Sequence, residues 1–233
     1  MNANANVPLL YRCNRPNCQF ARPNLVRVTD HIRRKDDHQG TIFGQHPNRP
    51  GQCLGVHVAT HPAPLPNTGF AYMAIAKTTI DERHGIFNLF TEHDDDAWNG
   101  FMDAYVHANT LVSVAGHNFF DENNVTVQWR PNGRRIEGSS GSGTVLCALC
   151  SLATGRLCRA DTAITARVVA APSLESVGYL ELKAAAARNA RVRRLVMSRT
   201  NQVNWHALPA AATVGVEPVF VEGVGQLLEN VLV

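Results

Sequence analysis

Apolar positions recur with a regular period from Cys53 onward, and before it they do not. "CLGVHVAT" alternates apolar and small or polar residues, as a strand with two unlike faces does. "GFAYMAIAKTTI" alternates as well, with Phe70 and Tyr72 on one face, and "GIFNLFTE" is a third strand segment. The "DERHG" turn between these last two predicts that they form a hairpin. "NVTVQW" places Val125, Val127 and Trp129 on one face, and "TAITARVVA", "RRLVMS" and "VEPVFV" are further strands.

Helical spacing alternates with these segments. Trp98, Phe101, Met102 and Tyr105 fall at i, i+3, i+4 and i+7, behind an acidic first turn that suits the helix dipole. Val145, Leu146, Leu149 and Leu152 mark a second helix, which Gly155 stops. "GYLELKAAAARNA" is an alanine-rich helix, and "GVGQLLENVLV" is an amphipathic one. The predicted class is α+β, with mixed strands and about four helices over residues 51–233. Residues 1–50 are rich in Arg, Asn, Pro and His, and "HPNRPGQ" (His46 to Gln52) has the composition of a linker.

Composition adds bounds. An apolar fraction of 45% supports a real core, and 18% charged residues exclude a disordered chain. A formal charge of +3 does not by itself point to a nucleic-acid partner. No run of 18 apolar residues occurs, and "MNANANVPLLYRC" has neither a charged start nor a long apolar stretch. An intracellular protein, cytoplasmic or nuclear and not membrane-bound, is therefore expected. In that setting six cysteines favour free thiols or a metal site over disulfides. Cys147-x-x-Cys150 spells a redox motif, but it falls on an apolar helix face, where buried thiols are expected; Cys53 and Cys158 are isolated.

The segment from Tyr11 to His38 has its own pattern. Cys13 and Cys18 are followed by His31 and His38, close to the C-x2-4-C-x12-H-x3-5-H spacing of a zinc finger, with the last gap one residue long. Two thiolates and two imidazoles make a closed tetrahedral site, and a structural zinc ion would fold a segment too short to fold alone. The other reading is an unfolded arm with two free cysteines. Arg27, Arg33 and Arg34 could meet phosphate, although one finger binds nucleic acid weakly, so protein docking or substrate recruitment is an equal alternative.

"EGSSGSG" (Glu137 to Gly143) leads into the second helix. Glycines allow a tight turn and close approach, and a helix start supplies unpaired N–H groups, so Ser140 is a candidate nucleophile. A serine hydroxyl needs a base at neutral pH. Of the 22 lysines and arginines only Lys35, Lys77 and Lys183 are lysines, and Lys183 lies among small apolar residues of the alanine-rich helix. Desolvation there would lower its pKa toward that of a general base; the alternative is a solvated lysine. Histidines are rival bases: His57, His61, His84, His93, His107, His117 and His206 lie in the folded region, and Ser-His-Asp geometry stays open. None sits in a recognisable motif, so an ordinary surface or hydrogen-bonded role is expected for each.

From Gly138 to Val233 the sequence resembles the C-terminal proteolytic domain of Lon proteases, a Ser-Lys peptidase family. The family motif Asp-Gly-Pro-Ser-Ala-Gly aligns with Glu137-Gly138-Ser139-Ser140-Gly141-Ser142. Thr154-Gly155 and Arg159-Ala160-Asp161 follow in step. The family's Ile-Gly-Gly-Leu-Lys-Glu-Lys aligns with Val177 to Lys183, 43 residues beyond Ser140. Weaker likeness extends upstream to about residue 51. The resemblance implies a Lon-type α+β fold, Ser140 as nucleophile, Lys183 as base, Thr165 as the residue orienting the lysine, and a hexameric ring. Three departures stand out. The family's Thr-Gly-Glu is Thr165-Ala166-Arg167, which bears on ring contacts; Pro before the serine is Ser139, and Ala after it is Gly141, which predicts a looser turn.

No G-x-x-x-x-G-K-[ST] loop occurs, so no ATP cofactor is expected. The expected function is an ATP-independent serine endopeptidase acting on peptides or unfolded segments through an acyl-enzyme. The alternatives are a viral polyprotein-processing Ser-Lys protease of the birnavirus type and a non-catalytic Lon-like adaptor.

Overall fold

A computed structural model describes residues 47–59, 67–79, 85–130 and 136–233, together with the backbone of 11–13, 21–22 and 42–43. Those short backbone pieces, β1 (Tyr11–Cys13), β2 (Ala21–Arg22) and β3 (Ile42–Phe43), pair antiparallel in the order β2-β1-β3. Cys13 ends β1; its side chain, and all of Cys18, His31 and His38, lie outside the described residues, as do His61 and His84.

From Gln52 onward the strands are β4 (Gln52–Ala59), β5 (Thr68–Thr79), β6 (Phe87–Phe90), β7 (Asn124–Arg130), β8 (Thr162–Thr165), β9 (Arg167–Val168), β10 (Leu174–Glu175), β11 (Arg194–Ser198) and β12 (Glu217–Val221), all but β10 on segments that the sequence marks as strands. Seven of them form one mostly parallel sheet in the order β12-β11-β8-β4-β5-β7-β6. Four helices have eight or more residues: α1 (Asp95–Val114), α3 (Ser142–Thr154), α4 (Leu180–Asn189) and α7 (Val224–Val231). One-turn helices α2 (Phe119–Glu122), α5 (Gln202–His206) and α6 (Ala210–Thr213) complete the described set. No described helix is long and apolar enough to cross a membrane.

The central strands are buried on both faces, which is why their sequences carry few polar residues. Phe70, Tyr72 and Ala74 of β5 face the core beneath α1, α3 and α7, whereas Ala71 and Met73 face α4. Val125, Val127 and Trp129 of β7 share the α1 side, as their period requires. Within α1 the buried line is Ala97, Gly100, Phe101, Ala104, Ala108 and Val112; Trp98, Met102 and Tyr105 are only half-buried beside it. That line of small residues brings α1 close to the turn that precedes α3.

Two expectations change. The strands on either side of "DERHG" do not pair with each other. β5 is hydrogen-bonded antiparallel to β7 from Met73 to Thr79, which fills that edge, and β6 instead pairs parallel with the far edge of β7. "TAITARVVA" is not one strand: it breaks at Ala166, whose N–H donates to the Ser140 carbonyl (3.1 Å) and whose carbonyl accepts from the Gly143 N–H (3.0 Å). The ladder is given up there to hold the serine turn.

Candidate active site

Ser140 is the middle residue of a single 3-10 turn, Ser139–Gly141, between β7 and α3. The turn is entered through Gly138 at φ +77°, a left-handed conformation that glycine adopts without steric cost. Asp94 Oδ1 and Oδ2 accept from the Gly138 N–H at 3.1 and 3.0 Å. Asp96 Oδ2 accepts from the Ser139 N–H at 3.0 Å and from the Ser139 hydroxyl at 3.1 Å. The Ser142 hydroxyl donates to the Ser139 carbonyl (2.8 Å) and accepts from the Val168 N–H (2.7 Å).

The looser turn expected from Ser139 and Gly141 is therefore not what the fold builds. Ser139 is buried and bonded twice to Asp96. Gly141 lies against the indole of Trp129, which stacks on Tyr72 at 3.8 Å between ring centroids. Tyr72 in turn donates its hydroxyl to Thr144 in the first turn of α3 (2.8 Å).

Lys183 sits in the first turn of α4, on the opposite side of the sheet from α3. Gly69 of β5 lets α4 approach that closely, since a Cβ there would fall 2.2 Å from the Leu182 carbonyl oxygen. The lysine is 2% exposed, and burial lowers its pKa from 10.5 to about 7. A cation in a helix's first turn also meets the positive end of the dipole, which acts in the same direction. Ser140 and Lys183 line one cleft of about 210 Å³, together with His57, Gly138 and Tyr179. No hydrogen bond among the described residues joins the Lys183 amine to Ser140 or Thr165. Thr165 ends β8, fully buried, with its hydroxyl unpartnered.

The residue bonded to the serine hydroxyl is His57, one of the histidines for which an ordinary role was expected. Ser140 Oγ lies 3.2 Å from His57 Nδ1, and His57 Nε2 lies 2.8 Å from the Glu137 carbonyl oxygen. A carbonyl only accepts, so Nε2 carries the hydrogen, and the neutral ring's Nδ1 accepts from Ser140. His57 is 1% exposed, edge-on to Phe70 and Trp129. Burial first, then the nearby Lys183 charge, lower its pKa to about 4 against smaller opposing effects from the Glu137 carbonyl and Asp94. The sequence does carry a signal: a histidine at the centre of an otherwise apolar strand is a buried polar group that must have a partner.

Asp94 and Asp96 were legible only as a favourable helix start. Arg167 pairs with Asp96 and with Glu175, each at 3.3 Å, and forms part of the cleft wall. Cys53, Cys147, Cys150 and Cys158 are free and buried; burial raises the thiols of Cys53, Cys147 and Cys150, whereas Cys158 is raised first by its hydrogen bond with Cys53 and then by burial. Among the described residues no group of three His, Cys, Asp or Glu side chains could hold a metal ion.

Fold and site together define a mixed α/β domain in which a serine turn at a helix start and a buried lysine line one cleft. A family model for the Lon protease (S16) C-terminal proteolytic domain matches residues 100–233, and the chain belongs to that family. It is 28% identical over 129 residues to a Lon protease of Desulfosudis oleivorans, covering 55% of this chain and 16% of that protein. It is 34% identical over 116 residues to a mitochondrial Lon protease homolog of Drosophila melanogaster, covering 49% of this chain and 11% of that one. The human mitochondrial homolog is 36% identical over 86 residues, 37% of this chain and 9% of that protein. The chain thus spans a small part of the length of these relatives. The family match begins within α1, so β4 and its His57 lie outside it.

Proposed function

We propose that this domain is a serine endopeptidase that cleaves peptides or unfolded segments through an acyl-enzyme on Ser140, with Lys183 as general base. The observation that carries this reading is a buried amine whose pKa lies near 7, lining the same cleft as a serine on a pinned turn. An amine of that pKa is half neutral at pH 7 and can take a proton, whereas a solvated lysine cannot. The neutral amine accepts the Ser140 proton as Oγ bonds to the substrate carbonyl carbon. The same proton then goes to the leaving nitrogen as the C–N bond breaks, and water releases the acyl group.

The N–H groups of Gly138, Ser139 and Gly143 already have acceptors in Asp94, Asp96 and the Ala166 carbonyl. The Gly141 N–H is taken up by the 3-10 turn's own bond back to the Gly138 carbonyl, which leaves the Ser140 amide, next to the start of α3, as the turn's candidate for holding the oxyanion. The Thr165 hydroxyl, buried at the end of β8, is assigned the orienting of the Lys183 amine. The test is a peptide-library digest with wild type, Ser140→Ala and Lys183→Ala in parallel, plus labelling by a serine-directed fluorophosphonate. Cleavage lost in both variants and labelling lost in Ser140→Ala supports the reading; a Ser140→Ala protein that cuts like wild type overturns it.

A further inference from the structure

We infer that His57 is a positioning residue for the nucleophile: a neutral imidazole that holds the Ser140 hydroxyl by a hydrogen bond and never carries the proton itself. The inference rests on the proposed role of Ser140.

Three observations converge on it. The ring sits in a fixed slot, edge-on to Phe70 and Trp129, with centroids 5.8 and 6.3 Å away. Its far nitrogen is tied to the backbone of Glu137, two residues before the serine turn begins, so ring and turn are held to each other at two points. Its near nitrogen is left as an acceptor aimed at Oγ, the atom that must attack. A serine side chain otherwise has three staggered rotamers to choose from, and this bond selects one.

Relative basicity separates holding the serine from deprotonating it. The groups that act on His57 are Lys183 from α4, Asp94 at the start of α1 and the Glu137 carbonyl. Their sum with burial leaves the imidazole near 4 while Lys183 stays near 7, so the amine is the stronger base of the two. In the resting site the hydroxyl hydrogen points at Nδ1. Rotation about the Cβ–Oγ bond frees it for the Lys183 amine, which lines the same cleft, without displacing the oxygen. The proton that leaves Oγ ends on Lys183 Nζ, and His57 keeps its single hydrogen on Nε2.

The experiment compares His57→Asn, His57→Leu and wild type in the full chain, with Ser140→Ala as a control. Asparagine can present an acceptor oxygen close to the position of Nδ1 but cannot take a proton; leucine fills the slot and presents no acceptor. Peptide cleavage and fluorophosphonate labelling are measured, with thermal unfolding to establish that each variant is folded. The expected result is a fall in kcat of about 10- to 100-fold for leucine with KM within about twofold, and a value within about fivefold of wild type for asparagine. Asparagine as inactive as leucine overturns the inference, because His57 would then be the proton acceptor. Leucine as active as wild type beside an inactive Ser140→Ala overturns it while leaving the proposed function intact. Full activity in Ser140→Ala overturns both.

Discussion

The indole of Trp129 stands where a side chain on residue 141 would have to go: a Cβ at Gly141 would lie 2.5 Å from its ring edge and 3.0 Å from the Tyr72 hydroxyl. The glycine beside the nucleophile is thus the counterpart of a large aromatic beneath it. Gly141→Ala is expected to cost about 1–3 kcal/mol by overpacking and to displace Ser140, lowering kcat. On a Trp129→Leu background the same change should cost clearly less. Urea unfolding of the four proteins of this cycle measures the coupling, and additive penalties would count against the steric explanation.

Asp94 joins two structures with one carboxylate. Its Oδ1 accepts from the Ala97 N–H at 2.8 Å and caps α1, while both oxygens hold the Gly138 N–H. Asp94→Ala removes the cap, worth about 1 kcal/mol, and frees the entry to the serine turn. It should lower both the unfolding midpoint and kcat. Asp94→Asn keeps an acceptor for one of the two bonds and should fall between. A loss of stability with unchanged kcat would show that Gly138 needs no clamp.

Much of this arrangement was legible in the sequence, and the limit has a physical origin. Alternation located β7 because Val125, Val127 and Trp129 meet one core. Helical spacing located α3 and its end, where Gly155 takes φ +71°. Ser140 and Lys183 could be singled out from local chemistry: a glycine-rich turn, and a lone lysine among alanines. The partner of β6 could not be read, because parallel pairing with β7 depends on which edge is free after β5 is filled. The place of His57 could not be read either, since it is set by contact with a turn 83 residues away. Asp96 carries three contacts, to the Ser139 N–H, the Ser139 hydroxyl and Arg167, yet in sequence it is one acid among three.

Tyr179 is held at φ +56°, where a β-carbon is strained and where the family motif carries glycine. Its ring is exposed at the cleft rim. Tyr179→Gly relieves the strain but adds freedom to the unfolded chain, so a net gain of up to about 1 kcal/mol is expected. Differential scanning calorimetry should show an equal or higher Tm. A clear fall would mean that the ring makes stabilising contacts worth more than the strain.

Lys183 should give both stability and activity a pH dependence. Below pH 7 the amine is charged in folded and unfolded protein alike, and the folded state bears the whole cost of burying the charge. Between about 7 and 10.5 the folded protein has lost the proton and the unfolded chain still binds it, so stability rises with pH through that window. At 1.36 kcal/mol per pKa step the full gain is roughly 5 kcal/mol. Lys183→Met should therefore exceed wild type in stability most at pH 6 and least near pH 10. In the wild-type protein log kcat/KM should climb with unit slope below about 7 and level off above it, because the neutral amine is the active form. A flat profile from pH 5 to 9 would exclude Lys183 as the base.

The buried, unpartnered hydroxyl of Thr165 sets stability against function. A buried hydroxyl without a hydrogen bond costs free energy relative to a methyl group of the same shape. Thr165→Val should therefore stabilise the fold by about 1 kcal/mol, seen as a higher urea midpoint with the same slope. If the hydroxyl is kept to orient the Lys183 amine during proton transfer, the same variant should lose about tenfold or more in kcat. Thr165→Ser, which restores a hydroxyl on a smaller side chain, should recover most of the rate while being less stable than wild type. A valine variant that is both more stable and fully active would leave Thr165 with no part in the reaction.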